Sequence, residues 1–399
     1  MVSALNKVAG IAEDSGLAPG PDEAWPRFDE DEIAAAAAVL RSGRVNQWTG
    51  TEVFAFEEAC RERFGGGRGI ALANGSVALE LALRAFGIGP GDEVVVTPRT
   101  FVASAFCVQL VGAVPVFAEV DADSGNITAE TIEAVLTPRT RAVIPVHLAG
   151  WPCDMPAIMA LAQQHGLRVV EDCAQAHGAR IGGQPVGSFA DAAAFSFCQD
   201  KIISTGGEGG YTSFRDDREW EWAWSFKDHG KSWAKVNAPA AGAGFRWLHD
   251  DVGTNWRLTG PQAAIGIAQL RKLPQWTEAR TRNALIWAEA LAGVPALRVP
   301  LPGAEVRHGW YKFYAYVPDG AKGERDRILA RANEEGIKLF SGSCSEVYLE
   351  AAFDDLPRPD FPVARRLGET SLMMEVHPTL RPELTLRRAE RLAAIARDV

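Results

Sequence analysis

Lys201 ends the run Ser196-Phe197-Cys198-Gln199-Asp200-Lys201 and stands just ahead of Ser204-Thr205-Gly206-Gly207-Glu208-Gly209-Gly210. An amine just past a buried strand loses part of its hydration, which favours the nucleophilic free base over the ammonium. Such an amine can add to a carbonyl and hold it covalently. The glycines beside it let backbone approach a ligand closely. Taken alone, the segment reads equally well as a surface lysine opening a hairpin. Upstream, Val169-Val170-Glu171-Asp172-Cys173-Ala174-Gln175-Ala176-His177-Gly178 puts Asp172 at the C-terminal end of an apolar strand. Ligands of α/β sheets bind at such ends; the competing reading is an Asp that caps the next turn. The interval from 172 to 201 holds one strand between two loops, so both side chains can reach one ligand from neighbouring strand ends.

Two more turns join them. Ala73-Asn74-Gly75-Ser76 follows a strand and opens a helix, where free N–H groups and a hydroxyl make an anion site. Neither a Walker loop nor a dinucleotide fingerprint is present there, and ordinary Asn/Ser capping explains the turn as well. Pro98-Arg99-Thr100-Phe101-Val102-Ala103-Ser104 is again a strand-to-helix turn. Phe101 there can stack on a flat ring or pack in the core.

The elements that must position these turns alternate. Strands are expected at Gly69–Ala73, Glu93–Thr97, Val114–Ala118, Arg141–Pro145, Leu167–Glu171 and Ala192–Ser196. Helices fall between them at Ser76–Phe86, Ala103–Val111, Ala129–Val135 and Met155–His165, after two leading helices at Asp29–Ser42 and Val53–Phe64. Strands apolar on both faces and separated by helices predict a mostly parallel α/β sheet flanked by helices. Helices are expected at Arg218–Phe226 and at Pro261–Leu270, the latter running on through Thr277–Leu291. A strand at Tyr311–Val317, a helix at Asp326–Glu335 and a last helix from about Pro382 make a smaller α+β domain. Arg387 and Arg388 are expected on the outer face of that last helix. The chain divides into a loosely ordered lead-in (1–24), a large domain (25–270), and a connector helix with the small C-terminal domain (271–399).

Bulk properties narrow the function. Of 399 residues, 47% are hydrophobic and 23% charged, as in ordinary globular proteins. A net charge of −10 gives no long-range help in binding nucleic acid or anionic membrane. Six scattered cysteines form no CxxC pair and suggest neither metal site nor disulfide, with Cys107 and Cys173 read as buried thiols. No apolar run reaches spanning length and the first residues lack a signal-like apolar core, so a cytoplasmic location is expected.

In their order — phosphate turn, stacking aromatic, Asp, Lys — these segments resemble the DegT/StrS-type sugar aminotransferases, which are fold-type I pyridoxal 5′-phosphate (PLP) enzymes. The resemblance runs from about Pro26 to the last helix. It includes VLRSGRVNQWTG, GDEVVVTPRTFVASAFCV, VHLAGWPCDM, VVEDCAQAHGA, SFCQDKIISTGGEGG, FKDHG and GTNWRLTGPQAAIGIAQL. It implies that Lys201 is the Schiff-base lysine and proton shuttle, and that Asp172 pairs with the pyridine nitrogen. Protonation there makes the ring an electron sink. It also implies that Gln175 lies near the phenolic oxygen, that Gly75, Ser76 and Ser196 bind the phosphate, and that Phe101 covers the ring. The Asn at the position of Asn255 reaches, in that family, across a homodimer interface to the partner's cofactor, giving two shared active sites. The implied reaction moves an amino group from L-glutamate or L-glutamine to a keto-sugar, one linked to a nucleotide. Trp48, His229, His308 and Tyr348 are candidate acceptor contacts, because aromatic rings stack on sugar faces. His147 and His177 are read as structural. A ketocyclitol or aminoshikimate-type acceptor is an alternative, since Cys344–Tyr348 departs from the commonest sugar-nucleotide pattern. Dehydration is another, although family members that dehydrate carry His in place of the lysine. A non-catalytic PLP-binding regulator and a nicotinamide dehydrogenase are further alternatives. The first lacks an appended DNA-binding arm and the second a well-placed GxGxxG.

Overall fold

The computed structural model describes residues 16–239, 244–318 and 323–398. Helices α1 (Glu30–Ser42) and α2 (Glu52–Phe64) lead into β1 (Arg68–Leu72), α3 (Gly75–Ala85), β2 (Glu93–Val96), α4 (Ala103–Leu110), β3 (Val114–Phe117) and β4 (Thr140–Ile144). Then come α5 (Met155–His165), β5 (Arg168–Asp172), β6 (Ala192–Ser196), β7 (Gly210–Phe214), α6 (Asp217–Lys227) and α7 (Gly260–Leu291). The C-terminal part adds β8 (Phe313–Tyr316), α8 (Glu324–Glu334), β9 (Leu339–Phe340), β10 (Ser371–Met374) and α9 (Pro382–Asp398).

Seven strands form the main sheet in the order β1-β7-β6-β5-β4-β2-β3. Only β7 runs against the others. Every residue of β2, β6 and β7 is buried. This is the condition under which a parallel sheet is stable, since both faces must be covered by helices. β7 is not announced by the sequence pattern: its Gly-Tyr-Thr-Ser-Phe run reads as loop until it is paired on both sides.

The 32-residue α7 passes straight through residue 270. Its first half, with Ala263, Leu270 and Leu273, packs in the core under the main sheet. Its second half, with Ala284, Trp287 and Leu291, joins β8, β10 and α9 in a separate core. The stretch read as a loose lead-in divides in two. Residues 1–15 lie outside the described residues, whereas Leu17 packs on that C-terminal core and Glu23 pairs with Arg381. The same contact corrects the reading of the last helix. Arg387 is exposed, but Arg388 is buried and donates from Nε to the Leu17 carbonyl at 2.6 Å. No helix among the described residues is long and apolar enough to cross a membrane.

Candidate active site

The site lies where the parallel strands end. Asp172 is the last residue of β5 and pairs across to Ala194 of β6. Two residues on, Ser196 ends β6 and faces Gly210, which in turn faces Leu72 of β1. This row brings the Asn74–Ser76 turn, Ser196 and Asp172 to one edge of the sheet. Asn74 caps α3, its Oδ1 accepting from Val77 N at 3.0 Å. The N–H groups of Gly75 and Ser76 then project from the helix start, where an anion is favoured.

Glycine at 75 is a packing requirement. A Cβ there would stand 2.6 Å from Ser196 Cβ and 3.1 Å from its Cα. Within the glycine cluster after Lys201, Gly210 is required by the protein's own packing: a Cβ there would lie 2.2 Å from the Asn74 carbonyl oxygen. Gly210 therefore lets β7 seat the turn at the start of α3.

Asp172 is 4% exposed. Its Oδ1 accepts from Ala174 N at 3.1 Å and its Oδ2 from Ser104 Oγ at 2.8 Å. Burial raises its carboxyl above the usual range, and those hydrogen bonds and the charges of Lys201 and His147 only partly offset this. A buried acid in this condition lacks a cationic partner, and a protonated ring nitrogen is such a partner. With the Gly75–Ser196 cradle, it makes the residues present fit a phosphorylated pyridine cofactor.

Lys201 lies in the connection between β6 and β7 with its side chain 15% exposed, so it is not the surface lysine of the competing reading. Its backbone is clamped, N–H to Cys198 O at 3.1 Å and carbonyl to Trp25 Nε1 at 2.9 Å. Nζ stands 5.0 Å from the centre of the Tyr311 ring. Gln175 is buried and its Oε1 accepts from Ala149 N at 2.7 Å; Ala149 O accepts from Tyr311 N at 2.9 Å. Lys201, Asp172, Gly75, Ser196 and Gln175 are thus joined by short steps through β5, β6 and their loops. Phe101 is 50% exposed on the turn that carries Ser104, and so is not the core residue its type suggests.

The remaining candidates are placed elsewhere. Trp48, 40% exposed, meets Trp224 edge-on with Lys231 Nζ 4.0 Å from its ring centre. His229 is exposed with φ 62°, and Asn255 is exposed opposite Asp228. These three form a separate group beside α6. His308 is buried, stacks on Trp310 at 3.8 Å and accepts from Trp310 N at 2.7 Å. Burial pushes its pKa down to about 3, so it is neutral. Tyr348, 1% exposed, sits in the core against Phe117 and Phe361 with its hydroxyl on Glu346 at 2.6 Å.

His147, Glu171 and Cys173 approach closely enough to hold a metal ion. The Glu171 carboxylate, however, already accepts from Gly187 N (2.7 Å), Phe189 N (2.8 Å), Ala190 N (2.9 Å) and His147. The cluster ties β5 to its neighbouring loops. His177 is fully buried among Phe64, Phe195 and Phe197. Two other lysines are shielded amines that burial lowers: Lys312, beside the Tyr311 ring, and Lys227, lowered to about 8. Lys227 donates to Gln47 and lies over Trp224, away from Asp172 and the α3 turn.

Sequence reasoning missed the tasks of Ser104, Asp200 and Tyr311. Ser104 sat within a segment already singled out, and a hydroxyl one turn into a helix was its signal. Tyr311 arrives from beyond α7, and nothing in its spacing points to Lys201.

An α/β protein with a seven-stranded, mostly parallel sheet, a helix-start cradle, a buried carboxylate and a shielded lysine at the strand ends has the architecture of a PLP-dependent enzyme of fold type I. Residues 26–392 match the DegT/DnrJ/EryC1/StrS aminotransferase family, and the chain belongs to it. It is a PLP-dependent aminotransferase. The chain is 40% identical over 319 residues to UDP-N-acetyl-3-dehydro-alpha-D-glucosamine 3-aminotransferase of Acidithiobacillus ferrooxidans, covering 80% of this chain and 82% of that one. It is 33% identical over 353 residues to 3-amino-5-hydroxybenzoate synthase of Amycolatopsis mediterranei, covering 87% and 88%. Among solved structures it is similar to an aminotransferase from Psychrobacter cryohalolentis, with TM-score 0.90 and 48% identity over 93% of this chain and 98% of that one.

Proposed function

We propose that this enzyme moves an amino group from L-glutamate or L-glutamine to the ketone of a nucleotide-linked sugar. The observation that carries the reading is that Asp172, Ser196 and the Gly75 turn stand at the ends of neighbouring strands, with buried Asp172 close enough to Lys201 to feel its charge. The cofactor supplies an aldehyde for the lysine and a conjugated ring that takes up the electron pair left by the departing proton. Gly75 N–H, Ser76 N–H and Ser196 Oγ bind its phosphate. Asp172 holds a proton at the ring nitrogen, Ser104 and Ala174 orient that carboxylate, and Phe101 covers the ring. Lys201 Nζ would hold the cofactor and, as a free amine, would be the base that takes the donor's α-proton and the acid that returns it to the carbon across the nitrogen. Gln175, fixed by Ala149 N, would present its amide to the ring's phenolic oxygen.

A homodimer completes the site. Trp48, His229 and Asn255 stand on one exposed side, and Phe245, Trp247 and Val252 there are at least 80% exposed. An apolar surface of that kind marks an interface, across which Asn255 serves the partner's phosphate. Kinship with an enzyme acting on a UDP-sugar supports the nucleotide-linked acceptor. The departure at Cys344–Tyr348 and the kinship with 3-amino-5-hydroxybenzoate synthase favour, as a second reading, an acceptor without a nucleotide.

The test loads the enzyme with the amino form of the cofactor and offers 3-keto and 4-keto nucleotide hexoses beside ketocyclitols. Return of the aldehyde-form spectrum with a nucleotide-linked sugar alone supports the first reading. Return with ketocyclitols alone supports the second and overturns the first.

A further inference from the structure

One charged group beside Lys201 has no task in the reading above. Asp200 precedes the lysine in the chain, and its Oδ1 stands 4.0 Å from Lys201 Nζ. Its other oxygen, Oδ2, accepts from the Tyr311 hydroxyl. Asp200 is half-exposed, whereas Tyr311 is 9% exposed and fixed through its N–H to Ala149 O at 2.9 Å. A half-exposed carboxylate ordinarily turns to water. Here a rigid phenol holds one oxygen, so the other stays toward the amine. Tyr311 also lays its ring beside Nζ, which limits where the ammonium can move.

We propose that Asp200, held by Tyr311, is a positioning residue that keeps the proton on the Lys201 nitrogen while the lysine carries the cofactor. This rests on the assignment of Lys201 above. A protonated linkage is the form that a donor amine attacks, so the pair extends the working range of the enzyme toward alkaline pH.

The charges around the pair are few. Asp172, His177 and Cys198 interact with Lys201 from β5, its following loop and the residues just before the lysine. Burial pushes His177 down to about 3, so it is neutral, and raises Cys198, so it is a thiol. Lys312 faces Asp200 from the start of β8, and Arg280 lies behind Tyr311. Burial raises the Asp200 carboxyl, but Lys201, the Tyr311 hydrogen bond and Lys312 outweigh it and leave it below the usual range. Asp200 is therefore ionised whenever the lysine nitrogen titrates. Asp172 is turned toward Ser104 and Ala174, which leaves Asp200 as the carboxylate at the amine.

The test titrates the visible band of the cofactor-loaded protein from about pH 6 to about pH 10. A half-exposed carboxylate 4.0 Å from the nitrogen is worth at least about one pH unit, the value for such a pair in water. Asp200→Asn is expected to lower the midpoint by about that amount, Asp200→Glu to restore most of it, and Tyr311→Phe to lower it by a smaller step. Salt at about 1 M should lower the wild-type midpoint and leave that of Asp200→Asn unchanged. Coincident midpoints for wild type and Asp200→Asn overturn the proposal. A band that survives unchanged in Lys201→Ala overturns the lysine assignment, and the proposal with it.

Discussion

Ser104 gives the sharpest test of how the carboxylate at the ring nitrogen is tuned. Its hydroxyl is buried and donates to Asp172 Oδ2 at 2.8 Å, while Thr100 Oγ1 lies 3.0 Å from the same Ser104 oxygen. A hydrogen bond to a buried charged group contributes about 1.5–3 kcal/mol. Ser104→Ala removes that stabilisation from the ionised form alone. The Asp172 carboxyl, already raised by burial, then rises by about one to two further pH units. Its ionised form is disfavoured further, and its hold on the ring proton weakens. Turnover in the donor half-reaction should fall on the order of ten- to a hundredfold near pH 7. The ratio of variant to wild type should recover as pH rises, because alkali restores the carboxylate. Single-turnover absorbance with excess donor measures this, and Ser104→Thr, which keeps the hydroxyl, should retain most of the rate. A Ser104→Ala enzyme within about twofold of wild type at every pH, or one whose deficit deepens with pH, would refute the reasoning.

Three other predictions concern the cradle, the charge and the core. Gly75→Ala places a methyl 2.6 Å from Ser196 Cβ; overpacking of about 1–3 kcal/mol should weaken cofactor retention on the order of tenfold in equilibrium dialysis, and unchanged retention would contradict the cradle. Asp172→Asn should raise the melting temperature of cofactor-free protein at neutral pH and leave it alike at acid pH. The sign follows because burial raises the folded carboxyl above its ordinary 3.8, so stability falls as pH climbs past that value; a variant less stable at all pH values would count against it. Tyr348→Phe loses one hydrogen bond to Glu346 in the core; urea unfolding should show a loss of about 0.5–1.5 kcal/mol with kcat/KM unchanged, and a large kcat/KM effect would return Tyr348 to the acceptor pocket.

Much of the fold was legible because a parallel sheet covered on both faces leaves short, uniformly apolar strands. Glu93–Val96 and Ala192–Ser196 are buried throughout and read directly as strands. Asp172 stood out because a carboxylate interrupts such a run at its ligand-bearing end. What stayed hidden depends on partners distant in sequence. Strand Gly210–Phe214 is polar and glycine-led, and only its neighbours β1 and β6 make it a strand. Arg388 carries a charge and reads as exposed, yet Leu17, at the opposite end of the chain, supplies its carbonyl partner. Tyr311 reaches Lys201 from a hundred and ten residues further along the chain, packed in the core under the main sheet. Tyr348 shows the converse: aromatic type suggested a sugar platform, but a ring of that size more often stabilises a core by burial.

We propose that Lys201, and no other amine, carries the cofactor. Lys227 and Lys312 are the natural rivals, since burial lowers both amines, Lys227 to about 8. Borohydride reduction of the cofactor-loaded protein, followed by digestion and peptide mass mapping, locates the linkage directly. One pyridoxyl adduct is expected, on the peptide containing Lys201. An adduct on Lys227 or Lys312, or labelling that persists in Lys201→Ala, would contradict the proposal.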